Sequence, residues 1–262
     1  MSPLPSFARV LRDHRRGLAT WALAVGAITA FYLAFYPMMG QEMVDAVQGM
    51  PEGLMRGLGY DRIGTGAGYV DALIVGLLAP LLLLVHAIAL GGRLIAGQEE
   101  DGSLELDFAA PVSRRRLYLE RAAAAWTLVL ALVAVLATVV VAMNGPAELA
   151  LELGHVPAVA LPLALLVGGF ASVAFAIGAA TGRRGAAVGV AAGLAVFAYV
   201  VRGVADATGN DLLGAFSPFV WLLGPEPLQN GWDWGATAKL ALITVVALPL
   251  GLLRFERRDL GV

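Results

Sequence analysis

Apolar residues along this chain come in six long blocks, at about residues 18–39, 69–92, 117–143, 157–181, 186–205 and 236–253. A helix rises about 1.5 Å per residue, so crossing a hydrocarbon core of about 30 Å takes roughly 20 apolar residues. The blocks are continuous and do not alternate with the two-residue period of a barrel strand, and a bilayer interior admits only helices and closed barrels. The pattern predicts an all-α, polytopic membrane protein of six transmembrane helices, one membrane domain over residues 1–262. Weaker patterns lie between the blocks. Residues 3–16 form a basic, partly amphipathic segment suited to the inner membrane surface. Residues 40–60 set Met43, Val47, Met50, Leu54 and Leu58 at helical spacing, which predicts an external amphipathic helix on the outer leaflet or on a neighbouring span. Residues 216–229 are apolar, broken by prolines and too short to cross, as expected of a re-entrant or interfacial element. Trp232 and Trp234 follow where an aromatic belt belongs.

Composition sharpens this picture. The 262 residues are 59% hydrophobic and 15% charged, whereas a soluble domain carries about 25% charged residues. The block 18–39 is too long for a signal-peptide core and no small-x-small site follows it, so it is expected to remain as a span. With the N-terminus inside, 14 of the 18 Lys and Arg fall on the inner side and 4 outside (Arg56, Arg62, Arg202 and Lys239). Short loops rich in Arg stay in the cytoplasm, so both termini are expected there, in a bacterial inner membrane. Basic residues divided among short loops, with a net charge of −2, give no surface for nucleic acid. There is no Cys, hence no disulfide and no thiolate metal site.

The most informative stretch joins the second and third blocks. It contains the acidic run Glu99, Glu100, Asp101, then Gly102, Ser103, Leu104 and Glu105, and ends at Pro111, Val112, Ser113 and Arg114. Ser113 reads as the cap of the next helix. The arginines obey the positive-inside rule, but the acids gain nothing from it and invite a partner surface. The pattern I-A-x-E-x-x-G-[ST]-L-E…P-V-S-R resembles the loop of type-2 ABC exporter permeases, the membrane subunits of ATP-driven exporters. The layout matches too: six spans, a basic N-terminal segment, and an external Ser217-Pro218-Phe219 before the last span. Ser103 stands where Thr is usual, and both offer a hydroxyl.

The resemblance implies that residues 93–116 hold a coupling helix docked on a separate ATPase subunit, with Glu99, Glu100, Gly102, Ser103, Leu104, Pro111 and Arg114 as the coupling element. It further implies two ATPase copies carrying ATP and magnesium, no cofactor on this chain, and a second permease chain, identical or related, facing spans one and five. Those spans carry small residues four apart: Ala22, Gly26, Ala30 and Ala34, and Gly185, Gly189 and Gly193. Such ridges let helices approach closely, either within one subunit or between two.

Enzyme signatures are missing. A P-loop requires G-x-x-x-x-G-K-[ST], and the only Lys, Lys239, follows Gly235-Ala-Thr-Ala. His14, His86 and His155 cannot form H-E-x-x-H, and no G-x-S-x-G elbow occurs. His86 lies midway through the second block. An intramembrane ionisable group is a functional candidate by default, although a neutral His bonded to a neighbouring helix accounts for it as well. Two other classes stay open: an ion-driven secondary transporter, for which His86 would be the site, and a membrane anchor or sensor that only docks a partner. Pro37, Pro80, Pro162 and Pro249 are expected to bend or break their helices.

Overall fold

The computed structural model describes residues 6–38, 49–58, 60, 63–104 and 113–258, and the regular elements among them are all helical. Six helices are long and apolar enough to cross a membrane. They are span one, Ser6–Ala34; span two, Gly66–Glu100; span three, Arg114–Met143; span four, Val156–Thr181; span five, Arg184–Thr208; and span six, Trp234–Arg257. Each holds all or most of one of the six apolar blocks, span one giving way to a 3-10 turn at Tyr36–Met38, and two run well beyond the start or end of theirs.

Span one begins at Ser6, so the basic segment is not a separate surface helix: its described residues are the first turns of the span. The cause is tertiary. Val10 is buried, and a carboxylate oxygen of Glu120 accepts the amide of Phe7 at 3.3 Å, satisfying one of the donors a helix N-terminus leaves open. Span two likewise continues through Arg93 to Glu100, where the polar residues suggested a loop. Leu94, Ile95, Ala96 and Gly97 are buried there, and burial keeps the segment helical. Its backbone widens to π geometry twice, at Val70–Leu78 and Arg93–Gly97. Pro80 comes just after the first wide stretch. The looser turns relieve the clash its ring would make with the preceding carbonyls, so the span is not broken.

Span four is the hub, buried around most of its circumference. Its glycines set the distances: Gly168 lies under the Trp126 ring, Gly169 faces Ile243, and Gly178 meets Ala96 and Ala187. Small residues allow spans two, three, five and six to pack this closely, which supplies the van der Waals contact that holds helices together in lipid. Tyr118 donates to the Leu248 carbonyl at 2.8 Å and ties span three to span six. The buried apolar side chains form two clusters. The larger fills the middle of the bundle; the smaller gathers Val10, Ile95, Leu104, Tyr118, Phe175 and Phe255 at the end carrying both chain termini.

At the opposite end the helix Glu52–Leu58 lies on span five. A Cβ added at Gly57 would sit 3.0 Å from the Gly203 carbonyl and 3.1 Å from the Ala207 Cβ. The helix therefore uses a neighbouring span, one of its two expected seats. Met43 and Val47 of that prediction lie outside the described residues. The segment after span five folds as three short helices, Asp211–Gly214, Pro218–Leu223 and Pro227–Asn230. Its Ser217 is fully buried and donates to the Ala198 carbonyl at 2.7 Å, while Phe219 packs edge-on against Tyr199 with ring centroids 5.2 Å apart. Trp232 and Trp234 stack face to face, 4.8 Å apart, both exposed.

Candidate functional site

The polar side chains of the second-to-third-span connection converge at the termini end. Glu99 pairs with Arg258, which follows span six. Glu100 accepts the backbone amide of Arg184 at 2.8 Å, so it caps the first turn of span five and complements its positive end. Arg114 donates to the Arg258 carbonyl at 2.7 Å. Beneath the Glu99–Arg258 pair sits Gly182, the left-handed residue (φ 66°) that ends span four. A Cβ there would come within 2.8 and 2.9 Å of the Glu99 carboxylate oxygens and would also strike the Arg258 guanidinium. Only glycine permits both the backbone turn and the close approach.

The predicted coupling residues thus separate by environment. Leu104 is buried in the smaller core cluster. Ser103 donates to the Gln98 carbonyl at 3.3 Å, and Gly102 takes a positive φ of 72° just beyond the helix end. Glu99 and Glu100, expected to face a partner, are engaged within the chain. Asp101 and Gly102 are exposed. Pro111 lies outside the described residues. Ser113 caps span three, accepting the Arg116 amide at 3.3 Å.

The two small-residue ridges also separate. An added Cβ at Gly26 would lie 3.7 Å from methyls of Val135 and Val139, so that part of the first ridge packs on span three. Ala30 is half-buried and Ala34 exposed. The second ridge is open: a Cβ added at Gly185, Gly189 or Gly193 would meet no neighbouring element within 4 Å, and Val190, Leu194 and Phe197 stand exposed beside it. Next to it runs an apolar groove of about 380 Å³, walled by Leu81, Val85 and Ile88 of span two and Val188, Val196 and Tyr199 of span five. Phe219 also lines it.

His86 is half-buried, its ring 5.1 Å from that of Trp21 on span one. Its buried Nε2 makes no hydrogen bond, so the expected bond to a neighbouring helix is not made by that atom. Arg202 and Asp206 pair at 3.1 Å, one helical turn apart, and the Arg202 guanidinium lies 3.4 Å from where a Cβ on Gly76 would be.

Sequence reasoning missed two residues at the termini end. Arg121 counted there only as an inner-side charge. It is 1% exposed and donates to the Leu94 carbonyl at 2.7 Å, inside the π stretch of span two. Arg258 counted likewise, and its partner is 159 positions away. The uneven charge of the region was the only signal, and spacing cannot pair residues so distant.

Six helices long and apolar enough to cross a membrane, packed around an apolar middle, have the build of a polytopic membrane protein. The comparison with known families makes this specific: the chain belongs to the ABC-2 transporter family, whose family model, described as "ABC-2 family transporter protein", matches residues 7–260. Membrane proteins of this family generally work with ABC ATPase partners. No curated protein matches the sequence.

Proposed function

We propose that this chain is the permease subunit of an ATP-driven exporter in a bacterial inner membrane. The observation that carries the reading is the family match over residues 7–260, in a sequence that contains no P-loop of its own. ATP and magnesium then belong to a separate ATPase subunit, present in two copies and docked at the termini end, where exposed Asp101 offers an acidic contact. The distribution of Arg and Lys supports placing that end in the cytoplasm.

A second permease chain, identical or related, is proposed to seat on the open Gly185–Gly189–Gly193 ridge, since close helix approach needs small residues with no side chain over them. Cargo is proposed to be hydrophobic or amphipathic, such as a lipid, drug or antibiotic. The neighbouring groove supports this, because its walls are apolar side chains and a polar molecule would find few partners there. A competing reading, ion-driven transport, is favoured only by the unbonded Nε2 of His86.

Affinity purification of the chain from its host in mild detergent, with mass spectrometry of co-purifying proteins, separates the two. A P-loop ATPase at about equal stoichiometry supports the exporter reading. A chain that purifies folded and alone overturns it and directs attention to His86.

A further inference from the structure

The contacts at the termini end form a closed mechanical circuit. The tip of span two contributes Glu99 and Glu100. Glu99 reaches Arg258 at the end of span six, and Glu100 holds the first amide of span five. Arg114 at the start of span three binds the Arg258 carbonyl. The Glu99 and Arg258 side chains are 26% and 19% exposed. The pair is thus largely shielded from water, where its charges interact more strongly than an exposed pair would. It lies across Gly182, so the turn between spans four and five is clamped beneath it.

Span two reaches its tip through the π stretch Arg93–Gly97, a widened geometry that is frequent at functional sites. Arg121 holds that stretch from span three through the Leu94 carbonyl. Without further contacts, a displacement applied at Asp101 or beyond would move the tip of span two alone. With Glu99 tied to Arg258, the same displacement is passed across the bundle.

We propose that Glu99 and Arg258 form a strut that carries movement of the span-two tip into span six, making Arg258 a positioning residue of the coupling element although it lies outside the loop. This inference rests on the exporter reading. In it the pair stays closed through the transport cycle, with the Glu100 contact delivering the same movement to span five.

The chain contains no Cys, so engineered thiols are the only ones it carries, and the complex with the unmodified chain, treated with the same reagent, corrects for any thiols of the ATPase. The test uses the full complex of this chain with its co-purifying ATPase, in lipid vesicles, measuring magnesium-ATP hydrolysis in excess of the ATPase alone. Glu99→Arg and Arg258→Glu should each lower that excess at least five-fold while the ATPase still co-purifies in the original ratio. Arg258→Lys should retain about half, and the exchanged pair Glu99→Arg/Arg258→Glu should recover most of it. Because a reversed charge can also prevent folding, the pair Glu99→Cys/Arg258→Cys provides a second handle: low excess hydrolysis untreated, recovery after bridging with a short bifunctional thiol reagent.

Three results overturn the strut: single reversals within two-fold of the unmodified chain, an assembled exchanged pair with no recovery, or a bridged complex that is inactive. The last would mean the pair must part during the cycle. If the unmodified chain brings down no ATPase, the exporter reading itself fails at that earlier step, and the strut falls with it.

Discussion

Arg121 is the largest side chain buried to this degree in the bundle, at 1% exposure, and its guanidinium bond to the Leu94 carbonyl reaches into a wide helical turn. Hydrogen bonds from charged groups contribute about 1.5–3 kcal/mol, and removing one partner leaves the other unsatisfied. Arg121→Leu should therefore lower the stability of the purified chain by about 2 kcal/mol or more, read as a fall in the midpoint of thermal unfolding in detergent. A smaller effect is expected at Ser217, where Ser217→Ala removes one neutral bond to the Ala198 carbonyl and should cost about 1 kcal/mol. Gly182 is more sensitive than either. In Gly182→Ala, the left-handed backbone and the added methyl both oppose the Glu99–Arg258 contact. That variant should lose the same excess ATP hydrolysis as a charge reversal at Arg258.

Among the elements, the helix Glu52–Leu58 depends on two glycines facing Gly203 and Ala207. Overpacking a close contact costs about 1–3 kcal/mol. Gly57→Val should accordingly lift this helix from span five and expose residues 49–58 to protease added outside the vesicles, while the six spans stay protected. Most of the fold was legible because its main force is legible: long apolar blocks have one stable outcome in a bilayer. The limits of spans one and two were not. Residues 6–16 and 93–100 carry charges at the spacing of a surface segment or loop, and their helices persist because Val10, Leu94 and Ile95 find a core that only the assembled bundle provides. At the candidate site the acidic run stood out, but its use did not. Glu99 and Glu100 read as contacts for another protein, and local sequence contains nothing that pairs them with Arg258 and the Arg184 amide. The ridges were legible as ridges. Which one packs internally was decided by Val135 and Val139 of span three.

Over the whole molecule, the two sides of span five differ in kind. One packs into the bundle through Ala187, Ala191, Ala195 and Ala198; the other shows the bare ridge of Gly185, Gly189 and Gly193. A bulky residue on the bare side meets nothing in this chain, so Gly189→Phe should change the stability of the isolated chain by no more than about 0.5 kcal/mol, as for a surface substitution. If the ridge seats a second permease, the same variant should shift detergent-solubilised protein from dimer to monomer on light scattering. The proposed orientation is checked with single cysteines. One at Arg115 should resist a membrane-impermeant maleimide added to intact cells, and one at Trp232 should react.

Span two is also far longer than the layer it crosses. Its 35 residues extend about 50 Å at a helical rise, against a hydrocarbon core of about 30 Å. Length of that order works as gearing. A tilt of about 5° around the bilayer midplane moves a tip about 25 Å away by roughly 2 Å, with almost no displacement at the centre. The groove wall at Leu81, Val85 and Ile88 lies on this shaft between its ends. In the proposed exporter, a large stroke at the acidic tip would therefore become a short one at the groove, delivered with proportionately greater force.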